Sequence, residues 1–116
     1  MQFFKLTKDT GLKITEFNSN FYLSKIIQSN QPVKISCMHL GENGIIGLHQ
    51  ATTPQLFLII NGKGLVKGKN GNIVEVNSGS AVFWDKNEWH ETRTEDGLIA
   101  IAIESEDIDC SILNPL

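Results

Sequence analysis

The chain has 116 residues and a mass of 12.9 kDa, which is room for one domain spanning residues 1–116. Hydrophobic residues at 41% and charged residues at 20% are the balance of a globular chain and exclude disorder. A formal charge of −3 leaves no basic excess to neutralise phosphates, which argues against nucleic acid and anionic membrane surfaces as partners.

The amino terminus, MQFFKLTKDTG, lacks the apolar core and cleavage site of a signal peptide, and no run approaches the ~18 apolar residues of a membrane span. The expected location is the cytoplasm. Cys37 and Cys110 form no C-x-x-C motif and are read as two reduced thiols.

In chain order, Phe3, Phe4 and Leu6 mark a short strand, and Leu12 and Ile14 alternate with Lys13 and Thr15. The aromatic and β-branched run Phe21–Ile27 reads as a strand between Asn20 and Ser29-Asn30. Another opens after Pro32 and runs from Val33 to Leu40. Its alternation puts Val33, Ile35, Cys37 and His39 on one face and Lys34, Ser36, Met38 and Leu40 on the other. The stretch from Gly44 starts in a glycine-punctuated turn, runs through His49 and breaks at Pro54 before the most apolar run in the chain. Beyond it lie strand-like runs at Gln55–Ile60, Gly64–Lys69, Ile73–Val76, Ala81–Trp84, Trp89–Glu95 and Leu98–Glu104.

Asn43-Gly44, Asn61-Gly62, Asn70-Gly71 and Asp96-Gly97 punctuate this half of the chain, and both members of each pair tolerate the positive φ of hairpin turns. Short strands at this spacing predict an all-β sandwich or barrel. The tail is the one helical candidate, with Ser105 as cap and Ile108, Ile112, Leu113 and Leu116 on one face. Two strands, Gln55–Ile60 and Leu98–Ile103, are apolar on both faces and must be covered on both. One cover is the interior; the other is the N-terminal segment, the tail or a second subunit, and a homodimer is the expected assembly.

The spacing of polar residues around these strands resembles the two motifs of the cupin superfamily, small jelly-roll β-barrels. His49 matches the first histidine of motif one, Gln55 stands at its glutamate position and Gly62 on its glycine. Ala51 stands where a second histidine is usual. Gly79 and His90 match the start and the histidine of motif two, while Asp85, Asn87 and Thr94 replace its Pro, Gly and Asn. The resemblance covers roughly residues 33–104.

It implies a barrel interior into which His49, Gln55 and His90 point. Metal-binding cupins hold Fe, Mn, Ni, Zn or Cu on their histidines and glutamate, a donor set suited to such ions. Here the carboxylate is gone, so a bound dication would keep His49, His90 and the Gln55 carbonyl alone. The expected cofactor is therefore none or a weakly held divalent transition metal. His39 is a further candidate if its face looks inward. Thr92 and Thr94 share the inward face with His90, leaving Glu91, Arg93 and Glu95 to a solvent face. Glu88 and Asp85 sit in the preceding loop.

Three readings follow. The first is a metal-free or weakly metal-binding barrel that takes a small molecule against His49, Gln55, Phe57, Trp84 and His90, with Ile59 and Val82 as apolar lining. The second is a metal-dependent oxygenase, isomerase or lyase using His49, Gln55 and His90. The third is a dimeric interaction module. Trp84 and Trp89 offer rings for stacking. The G-x-S-x-G elbow, the P-loop and the dinucleotide fingerprint are all absent.

Overall fold

A computed structural model describes residues 1–116. Eleven strands run in chain order. They are β1 (Gln2–Lys5), β2 (Leu12–Ile14), β3 (Phe21–Leu23), β4 (Lys34–Leu40), β5 (Ile45–Gln50) and β6 (Gln55–Gly68). Then come β7 (Ile73–Asn77), β8 (Ser80–Trp84), β9 (Trp89–Arg93), β10 (Leu98–Glu104) and β11 (Asn114–Pro115). There is no α-helix, and so none long and apolar enough to cross a membrane.

All pairings are antiparallel. One sheet has the order β11-β1-β8-β6-β10-β4; a second brings β5 to β9, β9 to β6 and β6 to β7. Strand β6 belongs to both. Its first half pairs with β8 and β10, and from Lys63 onward it pairs with β7 and β9. The architecture is the expected jelly roll.

The expected hairpin turn at Asn61-Gly62 does not form. Gly62, at φ +85°, instead bends one continuous strand from the first sheet into the second, opposite an irregularity between Ile99 and Ala100 of β10. The other three Asn/Asp-Gly pairs do lie in connections between strands. At Asn70-Gly71, for example, Gly71 (φ +81°) donates its N–H to the Gly68 carbonyl at 3.2 Å.

Between the sheets lies a core of Phe57, Ile59, Val66, Val76, Val82, Trp84, Leu98, Ala100 and Ala102. The outer face of the first sheet carries Leu56, Leu58, Ala81, Phe83 and Ile103, covered by Phe4 from the N-terminal strand and Leu113 from the tail, with Ile26, Ile27 and Ile108 packed alongside. The second cover demanded by the doubly apolar strands is thus supplied partly by both ends of this chain. Beyond it, Ile35 and Ile60 remain 63% and 53% exposed.

Several local expectations are corrected. The tail forms a 3₁₀ turn, Cys110–Ile112, capped by Asp109 Oδ1 accepting from the Ser111 N–H at 2.9 Å, and then pairs with β1 as β11. Pairing with an open edge outweighs the weak helical period. The strand begun at Phe21 ends at Leu23, because Ile26 and Ile27 serve as cover over the outer core. The stretch that starts in the Gly44 turn and runs through His49, assigned no strand from the sequence, contains β5. Cys37 and Cys110 are unpaired, and burial followed by the Asp109 and Asp85 charges raises the Cys110 thiol pKa.

Candidate functional site

Strands β5 and β9 set His49 and His90 directly opposite one another as cross-strand partners. The register slips between Ile46 and His49, so the strand kinks just before the histidine. The kink turns the Gly47 carbonyl toward His49 Nδ1, 2.7 Å away. A carbonyl only accepts, so Nδ1 carries the hydrogen and Nε2 of the neutral ring carries a lone pair. That Nε2 lies 3.0 Å from Nε2 of His90, which must then be the protonated nitrogen of its own ring. One carbonyl thus sets both tautomers.

The His90 ring meets the edge of Trp84, with centroids 4.1 Å apart at 75°, and Phe57 packs on Trp84 at 5.5 Å. Gln55, cross-strand from Trp84, is buried beside them, with its amide donating a long 3.5 Å contact to Glu104. Met38, Ile46, His49, Gln55, Phe57, Trp84, His90, Glu91 and Thr92 enclose a cavity of about 40 Å³. His90 is 4% exposed, whereas His49 is open to solvent, so His49 stands at the entrance. The Trp84 indole is 1% exposed, and its Nε1–H has no acceptor.

All five residues singled out for ligand contact, His49, Gln55, Phe57, Trp84 and His90, line this one cavity. His39 does not. The β4 face bearing Ile35, Cys37 and His39 is the outer one, and Ser36, Met38 and Leu40 face inward. Met38 and Ile46 are lining residues that sequence reasoning missed. Met38 is on the face opposite His39, and Ile46 is in β5, to which the sequence assigned no strand. Glu91 is also corrected: it is buried rather than solvated, beneath Arg93 Nε at 2.6 Å and Lys67 Nζ at 3.8 Å. The Arg93 hydrogen bond leads in holding its carboxyl below the ordinary range. Thr92 lines the cavity beside His90, whereas the Thr94 hydroxyl is buried against the Lys63 carbonyl, to which it donates at 2.7 Å. Ala51 is buried and tied to the loop by Ala51 N–H to Glu88 O at 2.8 Å and Asn87 N–H to Ala51 O at 2.8 Å.

Burial, with the His49 charge second and Glu88 opposing, lowers the His90 pKa from 6.5 to about 4. The unfolded chain therefore takes up this proton first as pH falls. The stability contributed is complete above about 6.5 and is lost as pH drops toward the folded value. Urea denaturation at pH 7 and pH 4.5 should show wild type losing on the order of 2 kcal/mol more than His90→Gln over this interval. Equal losses in the two proteins would refute the assignment.

The donor set decides what an ion would find. Two imidazole nitrogens 3.0 Å apart match the spacing of neighbouring ligands on a metal, about 2.9–3.4 Å for bonds of 2.0–2.1 Å. The rest does not fit a tightly held dication. The third donor is a neutral amide, which offsets none of the ion's charge. No group of three or more His, Cys, Asp or Glu side chains is placed to hold a metal.

Comparison with known proteins bears on the fold. No family model and no curated protein matches the chain. Solved structures do. A cupin superfamily protein from Desulfitobacterium hafniense superposes with TM-score 0.61 at 16% identity, over 73% of this chain and 77% of that one. An RmlC-like cupin from Shewanella frigidimarina gives 0.61 at 18% identity, over 68% and 70%. A protein from Thermotoga maritima described as a predicted oxalate decarboxylase gives 0.56 at 24% identity, over 61% and 64%.

Proposed function

On the premise that the chain has a cupin fold, we propose that it binds a small molecule at the His49–His90 cavity, either metal-free or with only weak affinity for metal. His49, Gln55, Phe57, Trp84 and His90 are the contacting residues. The observation that carries this reading is the imidazole pair, already hydrogen-bonded in complementary tautomers, in a cavity without a free carboxylate. A pocket of about 40 Å³ admits only the polar head of a ligand, whose remainder extends past His49. The metal-dependent enzyme reading needs a third, negative donor, and the carboxylate in the cavity lining, Glu91, is already paired with Arg93 and Lys67. Two unpaired thiols fit a reducing compartment such as the cytoplasm.

A second reading, a homodimer, draws on a different observation. The outer sheet face leaves Ile35, Cys37 and Ile60 exposed, and the β2–β3 hairpin pairs with neither main sheet. The turn between its strands holds Phe17 99% exposed. Apolar surface of this kind favours a protein contact.

One experiment addresses both readings: elemental analysis combined with native mass spectrometry of freshly purified protein. The expected result is a dimer with far less than one metal per chain and a small organic adduct. Stoichiometric metal that disappears in His90→Ala would overturn the ligand-binding reading, and a monomeric mass would overturn the dimer.

A further inference from the structure

The outermost strand of a sheet has a row of N–H and C=O groups with no ladder partner, and proteins usually guard such edges against pairing with another chain. Of the edges of the two main sheets, all but one are guarded. At one end of the first sheet, β11 has only two residues, one of them Pro115. In the second sheet β5 is kinked between Ile46 and His49, and β7 carries Glu75 at its centre. β4, at the other end of the first sheet, has no such device. It is seven residues long, pairs with β10 in unbroken register and contains no proline. From Ile35 to Leu40 it has no Asp, Glu, Lys or Arg. Beyond the β10 ladder no backbone hydrogen bond reaches residues 33–40, so the free side of β4 is open along its length.

The outward side chains at this edge are apolar as well. Val33 and Ile35 are 42% and 63% exposed, and Cys37 is exposed beside them. What closes the edge has to be an extended strand with an open side of its own, and this chain contains one, β4 itself. A two-fold axis perpendicular to the sheet pairs two copies antiparallel, so one contact closes both open edges. All seven residues overlap only when the axis passes through the middle one, Cys37. Ile35 then faces the partner's His39, Lys34 faces the partner's Leu40, and no like charges are opposed.

We propose that two copies of this chain pair antiparallel along β4, with the two-fold axis at Cys37, and so join their first sheets into one continuous sheet. This rests on the homodimer reading above and assigns its interface to the sheet edge.

Directly opposed residues of an antiparallel pair have Cα atoms about 4.5–5.5 Å apart, within the roughly 4.4–6.8 Å that a disulfide spans. Purified protein oxidised with copper phenanthroline should therefore give a covalent dimer that persists in Cys110→Ser and is lost in Cys37→Ser. In sedimentation velocity, Cys37→Lys sets two cations face to face at the axis and should weaken the dimer about tenfold or more. Position 37 is exposed, so lysine there is compatible with the folded monomer. Ile60→Lys changes the same sheet face two strands in from the edge and should leave the dimer intact. A monomeric wild type would overturn both this interface and the dimer reading. A dimer that forms no Cys37 disulfide, or that Ile60→Lys breaks while Cys37→Lys does not, would leave the dimer standing and overturn the β4 pairing.

Discussion

Gly62→Ala is expected to be among the most damaging single substitutions in this chain, lowering stability by about 3–5 kcal/mol. Two effects add. At φ +85° a side chain costs about 1–2 kcal/mol before it touches anything. The added Cβ would then lie 2.3 Å from the Gly97 carbonyl oxygen and 3.1 Å from Leu98 Cα. Those atoms are backbone where the Asp96-Gly97 turn enters β10, so they cannot swing aside as a flexible side chain would.

Gly71 supplies the control. Its φ is +81°, yet nothing lies within 4 Å of its missing Cβ. Gly71→Ala should therefore cost about 1 kcal/mol. For a chain of this length each 1 kcal/mol lowers Tm by about 4 °C, so the pair should separate by roughly 8–16 °C in thermal melts. Similar melting temperatures for the two variants would mean that the close approach to Gly97 is not what demands glycine at position 62.

The second large effect is expected at Phe57. Its ring is buried against Trp84 and walls the histidine cavity. Phe57→Ala should cost about 3–5 kcal/mol, the lost transfer energy plus an enlarged void. Ile60, three residues along the same strand, faces out and is 53% exposed. Ile60→Ala should cost under about 1 kcal/mol if that face meets water. Urea denaturation of dilute protein measures both. An Ile60→Ala loss as large as that of Phe57→Ala would show that the outer face is covered in solution.

Much of this arrangement was legible in the residues. The Asn/Asp-Gly pairs separated the later strands, and the register of His49, Gln55, Gly62, Gly79 and His90 identified the jelly roll and gathered the cavity. What escaped had physical causes. Gly44 and Gly47 disguised β5, since glycine weakens any strand signal. Asn61-Gly62 had the chemistry of a hairpin turn but makes a bend, because a positive φ serves either purpose. On β4 both faces carry apolar residues, so alternation paired His39 correctly with Ile35 and Cys37 without revealing which side was inward. Glu91 looked solvated because the cations that cover it, Lys67 and Arg93, act across and along strands. The Trp84 N–H could not have been found at all, since a missing partner has no sequence signature.

The sharing of β6 has a thermodynamic consequence. A strand hydrogen-bonded into both sheets couples their melting, since neither sheet can come apart without stripping partners from the other. The histidine pair is mounted on one sheet and the Gln55–Phe57–Trp84 wall on the other. The cavity is therefore an all-or-none property of the folded chain, and no fragment that lacks either sheet retains half of it.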